Sequence, residues 1–65
     1  MEERAWLITT RKTAGLRQKD VAKKAGISQS YYAQLESGAR GKNISGRIAK
    51  KVAKVLGFKW TSFYR

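Results

Sequence analysis

The stretch Gln18-Lys-Asp-Val-Ala-Lys-Lys-Ala-Gly-Ile-Ser-Gln-Ser-Tyr-Tyr-Ala-Gln-Leu-Glu36 decides the fold. A segment from Arg17 to Lys24 has helical composition and turns Val21 and Ala22 inward beside Leu16 and Ala25. Ala25-Gly26-Ile27 then forms a tight turn, because Gly26 can take the positive φ that the reversal needs. Ser28 is placed to cap a second helix by accepting from the backbone N–H of Ser30 or Tyr31. Ala22 is small where the two helices cross, and Ile27, Tyr32 and Leu35 hold the second helix onto the first. Gln29, Ser30, Ala33 and Gln34 are left on the outer face, which carries amide and hydroxyl groups but no charge.

Two short helices joined by such a turn make a helix-turn-helix unit, here over about residues 17–37. Its outer face suits the major groove of double-stranded DNA, where glutamine can bond adenine through two contacts. Upstream, a helix is expected from Glu2 to Ala14, with Glu2 and Glu3 complementing its positive end and Gly15 in the left-handed position after it. Downstream, Gly38 is a stop for the second motif helix. Ile44, Ile48, Val52, Val55 and Leu56 then form one stripe of a fourth helix, with Ala49 and Ala53 at its margin. Arg47, Lys50, Lys51 and Lys54 lie opposite and read as an ordinary solvated face. Gly57 ends that helix, and Phe58-Lys-Trp-Thr-Ser-Phe-Tyr64 predicts a fifth short helix whose rings lid the core. The chain contains no proline, repeat or low-complexity tract, and strand signals are weak. The expected architecture is all-α, five helices in one compact domain over residues 1–65.

The composition narrows the function. Sixty-five residues without cysteine or histidine hold no disulfide framework and lack the usual thiolate and imidazole metal ligands. The carboxylates Glu2, Glu3, Asp20 and Glu36 form no evident catalytic pair, so no enzyme activity, metal, cofactor or small-molecule ligand is expected. No apolar run approaches a membrane span, and the opening MEERAW does not read as a signal peptide, so a cytoplasmic protein is expected. Fifteen Lys and Arg against four Asp and Glu give a formal charge of +11. Self-repulsion on that scale asks for an acidic partner, and charge alone does not choose between nucleic acid and an anionic membrane.

Leu16-Arg-Gln-Lys-Asp-Val-Ala22, Ile27-Ser-Gln-Ser30, Leu35-Glu-Ser-Gly38 and Ile48 to Phe58 resemble the Cro/CI-like (XRE) helix-turn-helix regulators, whose domains are lambda-repressor-like. The resemblance covers about Leu7 to Tyr64, and the ending Trp60-Thr-Ser-Phe-Tyr64 is similar to that of small regulators on phages and mobile elements. It implies that Gln29, Ser30 and Gln34 read bases. It also implies that Gln18 bonds a phosphate and braces Gln29, and that Arg11 pairs with Glu36 while facing the DNA backbone. Arg17 would lie near a phosphate, with Arg40, Lys42 and Asn43 completing the backbone clamp. Ser28 and Tyr31 join that set, although packing over the fourth helix is an equal reading of Tyr31. Two positions depart from the pattern. Arg17 replaces a usual Ser, Thr or Asn cap, and Tyr32 replaces a usual aliphatic residue, implying looser packing or a hydroxyl sent outward.

The leading reading is therefore sequence-specific binding of double-stranded DNA by a transcriptional regulator, a repressor on a pseudo-palindromic operator. It would act in a bacterial or phage-infected cell as a homodimer, at least on DNA. Phe58, Trp60, Phe63 and Tyr64 are the candidate dimer contact. A membrane-active cationic protein would use the basic amphipathic fourth helix but leaves the helix-turn-helix spacing unexplained. RNA binding would need surface rings for stacking, and most rings here have core positions to fill.

Overall fold

Each helix boundary in the computed structural model, which describes residues 3–39 and 44–64, has a local cause. The elements are α1 (Ala5–Thr13), α2 (Gln18–Ala25), α3 (Gln29–Ser37), α4 (Gly46–Leu56) and a 3-10 segment (Trp60–Tyr64). No strand occurs among the described residues. Gly26 (φ +71°) and Gly38 (φ +82°) follow α2 and α3 in the left-handed conformation that stops a helix and releases the chain into a turn.

The start of α1 differs from expectation. Arg4 donates its backbone N–H to the Glu36 carbonyl at 2.8 Å and its guanidinium to the Leu35 carbonyl at 2.6 Å. These bonds tie residue 4 to the end of α3, so helical geometry begins only at Ala5 and no acid lies in the first turn. Glu3 precedes the helix, and Glu2 lies outside the described residues.

The fourth helix is also rotated from its expected register. Ser45 caps it by accepting from the Ile48 N–H at 3.3 Å, which leaves Ile44 buried but ahead of the helix. Ala49 and Ala53 are buried, and Ile48 and Val55 are only half-buried. Ala49, read as marginal, is thus part of the core cluster, and Ala53 is buried as well.

The expected fifth α-helix is a 3-10 turn, marked by the Ser62 N–H bonding the Lys59 carbonyl at 2.9 Å. It divides the rings. Phe63 is buried and meets Trp6 and Phe58 at centroid distances of 5.4 and 5.6 Å, whereas Trp60 and Tyr64 are 37% and 48% exposed. The Tyr64 hydroxyl donates to the Ile44 carbonyl at 2.6 Å and fixes this turn over the start of α4. Leu7, Val21, Tyr32, Leu35 and Val52 are fully buried, and α2 packs against both α3 and α4.

Candidate nucleic-acid interface

The N-terminus of α2 has an unusual cap. Arg17 is extended (φ −88°, ψ 163°), and its guanidinium has no acceptor for the free N–H groups of the first turn. Asp20 supplies half of a capping box by accepting the Arg17 backbone N–H at 2.9 Å. It also accepts from Arg17 Nε at 3.1 Å. The backbone bond first, then the side-chain bond, holds the Asp20 carboxyl below its usual range. Arg17 itself stays 71% exposed, so the contact is a weak surface pair that a phosphate can displace.

At the turn, the Ile27 N–H bonds the Ala22 carbonyl at 2.9 Å. Ser28 is extended, and its hydroxyl accepts from the Tyr31 N–H at 3.0 Å, which selects one of the two expected partners. The hydroxyl proton of this exposed serine is left to donate outward. Gln29 and Ser30 then open α3 with exposed side chains, while Ala33 and Gln34 are half-buried one turn later. Tyr31 packs against the core with its ring half-buried.

Glu36 joins these elements. It is 3% exposed, and its carboxylate accepts from Arg11 Nε at 2.6 Å, Arg11 Nη2 at 3.5 Å and Gln18 Nε2 at 2.8 Å. Arg11 Nη1 also donates to the Leu16 carbonyl at 2.9 Å. Burial alone would push the Glu36 carboxyl up, but the bonds from Arg11 and Gln18 hold it below the usual glutamate range. One buried carboxylate therefore fixes α1, the start of α2 and the end of α3 relative to each other. The expected Arg11–Glu36 pair is present, with Arg11 only 12% exposed. Gln18 has one amide N–H on Glu36 and a second left for a phosphate, and among the described residues no hydrogen bond joins it to Gln29.

Tyr32 is buried as its packing role requires, but it contradicts the expected looser packing or outward hydroxyl: it is fully buried, and its hydroxyl points inward beside Glu36. That oxygen has no hydrogen bond of ordinary geometry. Burial, then the adjacent carboxylate, pushes the phenol well above its usual pKa. Arg40, Lys42 and Asn43 lie outside the described residues.

Sequence reading missed the Gln18–Glu36 bond and the anchoring role of Arg4. The first had a signal, since Glu36 is a carboxylate at a position that Leu35 brings against the core. Arg4 had none: its partners are backbone carbonyls 31 and 32 positions away along the chain.

Two helices crossing at a tight glycine turn, the second capped by serine and opening on exposed polar side chains, define a helix-turn-helix DNA-binding unit. A family model described as "Helix-turn-helix" matches residues 7–63, and the chain belongs to this family, of XRE type. It is a DNA-binding transcription regulator by that membership. The chain is 39% identical over 61 residues to the Bacillus subtilis (strain 168) protein named "Uncharacterized HTH-type transcriptional regulator YqaF", across 94% of this chain and 78% of that one. No solved structure matches it. No helix among the described residues is long and apolar enough to cross a membrane.

Proposed function

We propose that this chain is a cytoplasmic repressor, a single domain over residues 1–65 that binds a pseudo-palindromic operator as two copies. Gln29 and Ser30 carry the reading: they are exposed at the first turn of α3, directly after the Ser28 cap. Gln34 follows on the same helix. Arg11, Arg17, Gln18, Ser28 and Tyr31 contact the flanking phosphates, together with Arg40, Lys42 and Asn43. A single recognition helix reads too few base pairs to locate a site in a genome. Two helices about 34 Å apart, one helical turn of DNA, double the information. Of the four C-terminal rings, Trp60 and Tyr64 are the ones available to a second copy, because Phe63 is committed to the core and Phe58 is half-buried against it. The membrane reading loses ground because the apolar face of α4 is packed within the fold.

Replacing Gln29 or Gln34 by Ala is expected to cost about 1–3 kcal/mol on the specific site and much less on random duplex. Fluorescence anisotropy on both duplexes checks this. An equal loss on both would remove these residues from base reading.

A further inference from the structure

The +11 charge is more than a phosphate clamp at the α2–α3 face uses, and part of the surplus is gathered in one place. Lys23 and Lys24, in the last turn of α2, face Lys51 and Lys54 of α4 across an open depression of about 600 Å³. All four side chains are exposed. No carboxylate among the described residues pairs with them: Glu36 is held by Arg11, Asp20 by Arg17, and Glu3 forms no ion pair with any of the four. Between the lysines the accessible apolar surface is the half-buried Val55, with Ala25 buried beneath. None of Arg17, Gln18, Gln29, Ser30 or Gln34 lines this depression.

We propose that the α2–α4 depression is a second binding surface, and that it takes an acidic, amphipathic protein segment while the chain is on DNA. Charge complementarity supplies the first half of the argument, since four unpaired cations around one concavity attract a run of carboxylates. The floor supplies the second. A phosphate backbone has no apolar surface to lay on Val55, whereas a helix with acids on its flanks and leucines along one stripe meets the lysines and Val55 at once. Lysine stems lying along that stripe add contact while their ammonium groups remain at the rim. A repressor holding such a surface clear of its DNA face can be recruited or removed by a partner without direct competition for the operator.

The full-length chain tests this by amide NMR, free and saturated with a duplex of about 30 base pairs. The probes are a synthetic acidic peptide of about five helical turns with one leucine stripe, poly-glutamate of the same charge, and a second unlabelled duplex. The peptide should bind both forms and shift Ala25, Gly26 and Val55, leaving Gln29 and Ser30 unmoved. Lys51→Gln with Lys54→Gln should weaken it by roughly fivefold or more, as should Lys23→Gln with Lys24→Gln. Glutamine removes the charge, stays polar at these exposed positions and suits a helix, so these variants fold. Poly-glutamate binding as tightly as the peptide would reduce the surface to bulk charge and overturn the proposal. So would occupation of the same resonances by the second duplex, displacement of bound DNA by the peptide, or no peptide binding. Failure to bind any duplex would count against the repressor reading alone, because the peptide is also measured on the free chain.

Discussion

Arg11→Ala is expected to destabilise the chain by about 3–5 kcal/mol, because it leaves the Glu36 carboxylate buried without its cation. A domain of this length has a total stability of only about 3–10 kcal/mol, so the variant should be largely unfolded at 37 °C. Thermal and urea unfolding followed by circular dichroism measure the loss. Arg11→Met combined with Glu36→Leu should recover most of it, since an apolar pair of similar volume has no charge to strand. The pair also sets the acid limb of stability. The folded Glu36 carboxyl titrates below its ordinary value of 4.5. Its contribution is therefore complete above about pH 4.5 and is lost as pH falls through the lower folded value. Glu36→Gln should flatten that limb. A wild-type and an Arg11→Ala chain of equal stability would show that the buried pair is not what holds the three helices together.

The affinity of two copies for their operator should fall by about three orders of magnitude between 50 and 200 mM salt. Arg17, Arg40 and Lys42 supply three cations per copy, since the charge of Arg11 is already balanced by Glu36, and six neutralised phosphates give a slope of about −5 in log K against log salt. Arg40→Gln or Lys42→Gln should flatten the slope by about one unit per bound copy and leave sequence preference unchanged. Arg17 should behave likewise, because its exposed contact with Asp20 gives way to a phosphate. Arg11 cannot be used in this way, since its removal strands Glu36. A change of less than about tenfold over the same salt range would contradict the clamp.

The motif was legible because its residues act locally. Gly26 needs a positive φ, Ser28 caps the helix that starts beside it, and Tyr32 and Leu35 lie three apart on one face of that helix. Each of these can be read from neighbours within about one helical turn. The features that escaped depend on distant partners. Helix α1 starts at Ala5 because Arg4 is bound to α3, and no pattern within the first ten residues announces that. Ala49 and Ala53 appear marginal on a hydrophobicity stripe, yet both are buried in a helix that packs against α2 and the 3-10 segment. Tyr32, in place of a usual aliphatic residue, was expected to pack more loosely or send its hydroxyl outward, and the fold instead buries that group beside Glu36. The site residues on α3 follow from the same local logic as the motif. Their exposure is a property of the structure, and base reading itself is a question for DNA.

Selection of bound duplexes from a random library, followed by sedimentation of the chain on the recovered sequence, tests the central claim most directly. Wild-type chain should enrich a pseudo-palindrome with half-sites about one helical turn apart, and two copies should sediment with each duplex. Gln29→Ala, which leaves the core untouched, should lose preference at symmetry-related positions in both half-sites. Recovery of the same consensus by wild type and Gln29→Ala, or of an asymmetric site carrying one copy, would contradict the account.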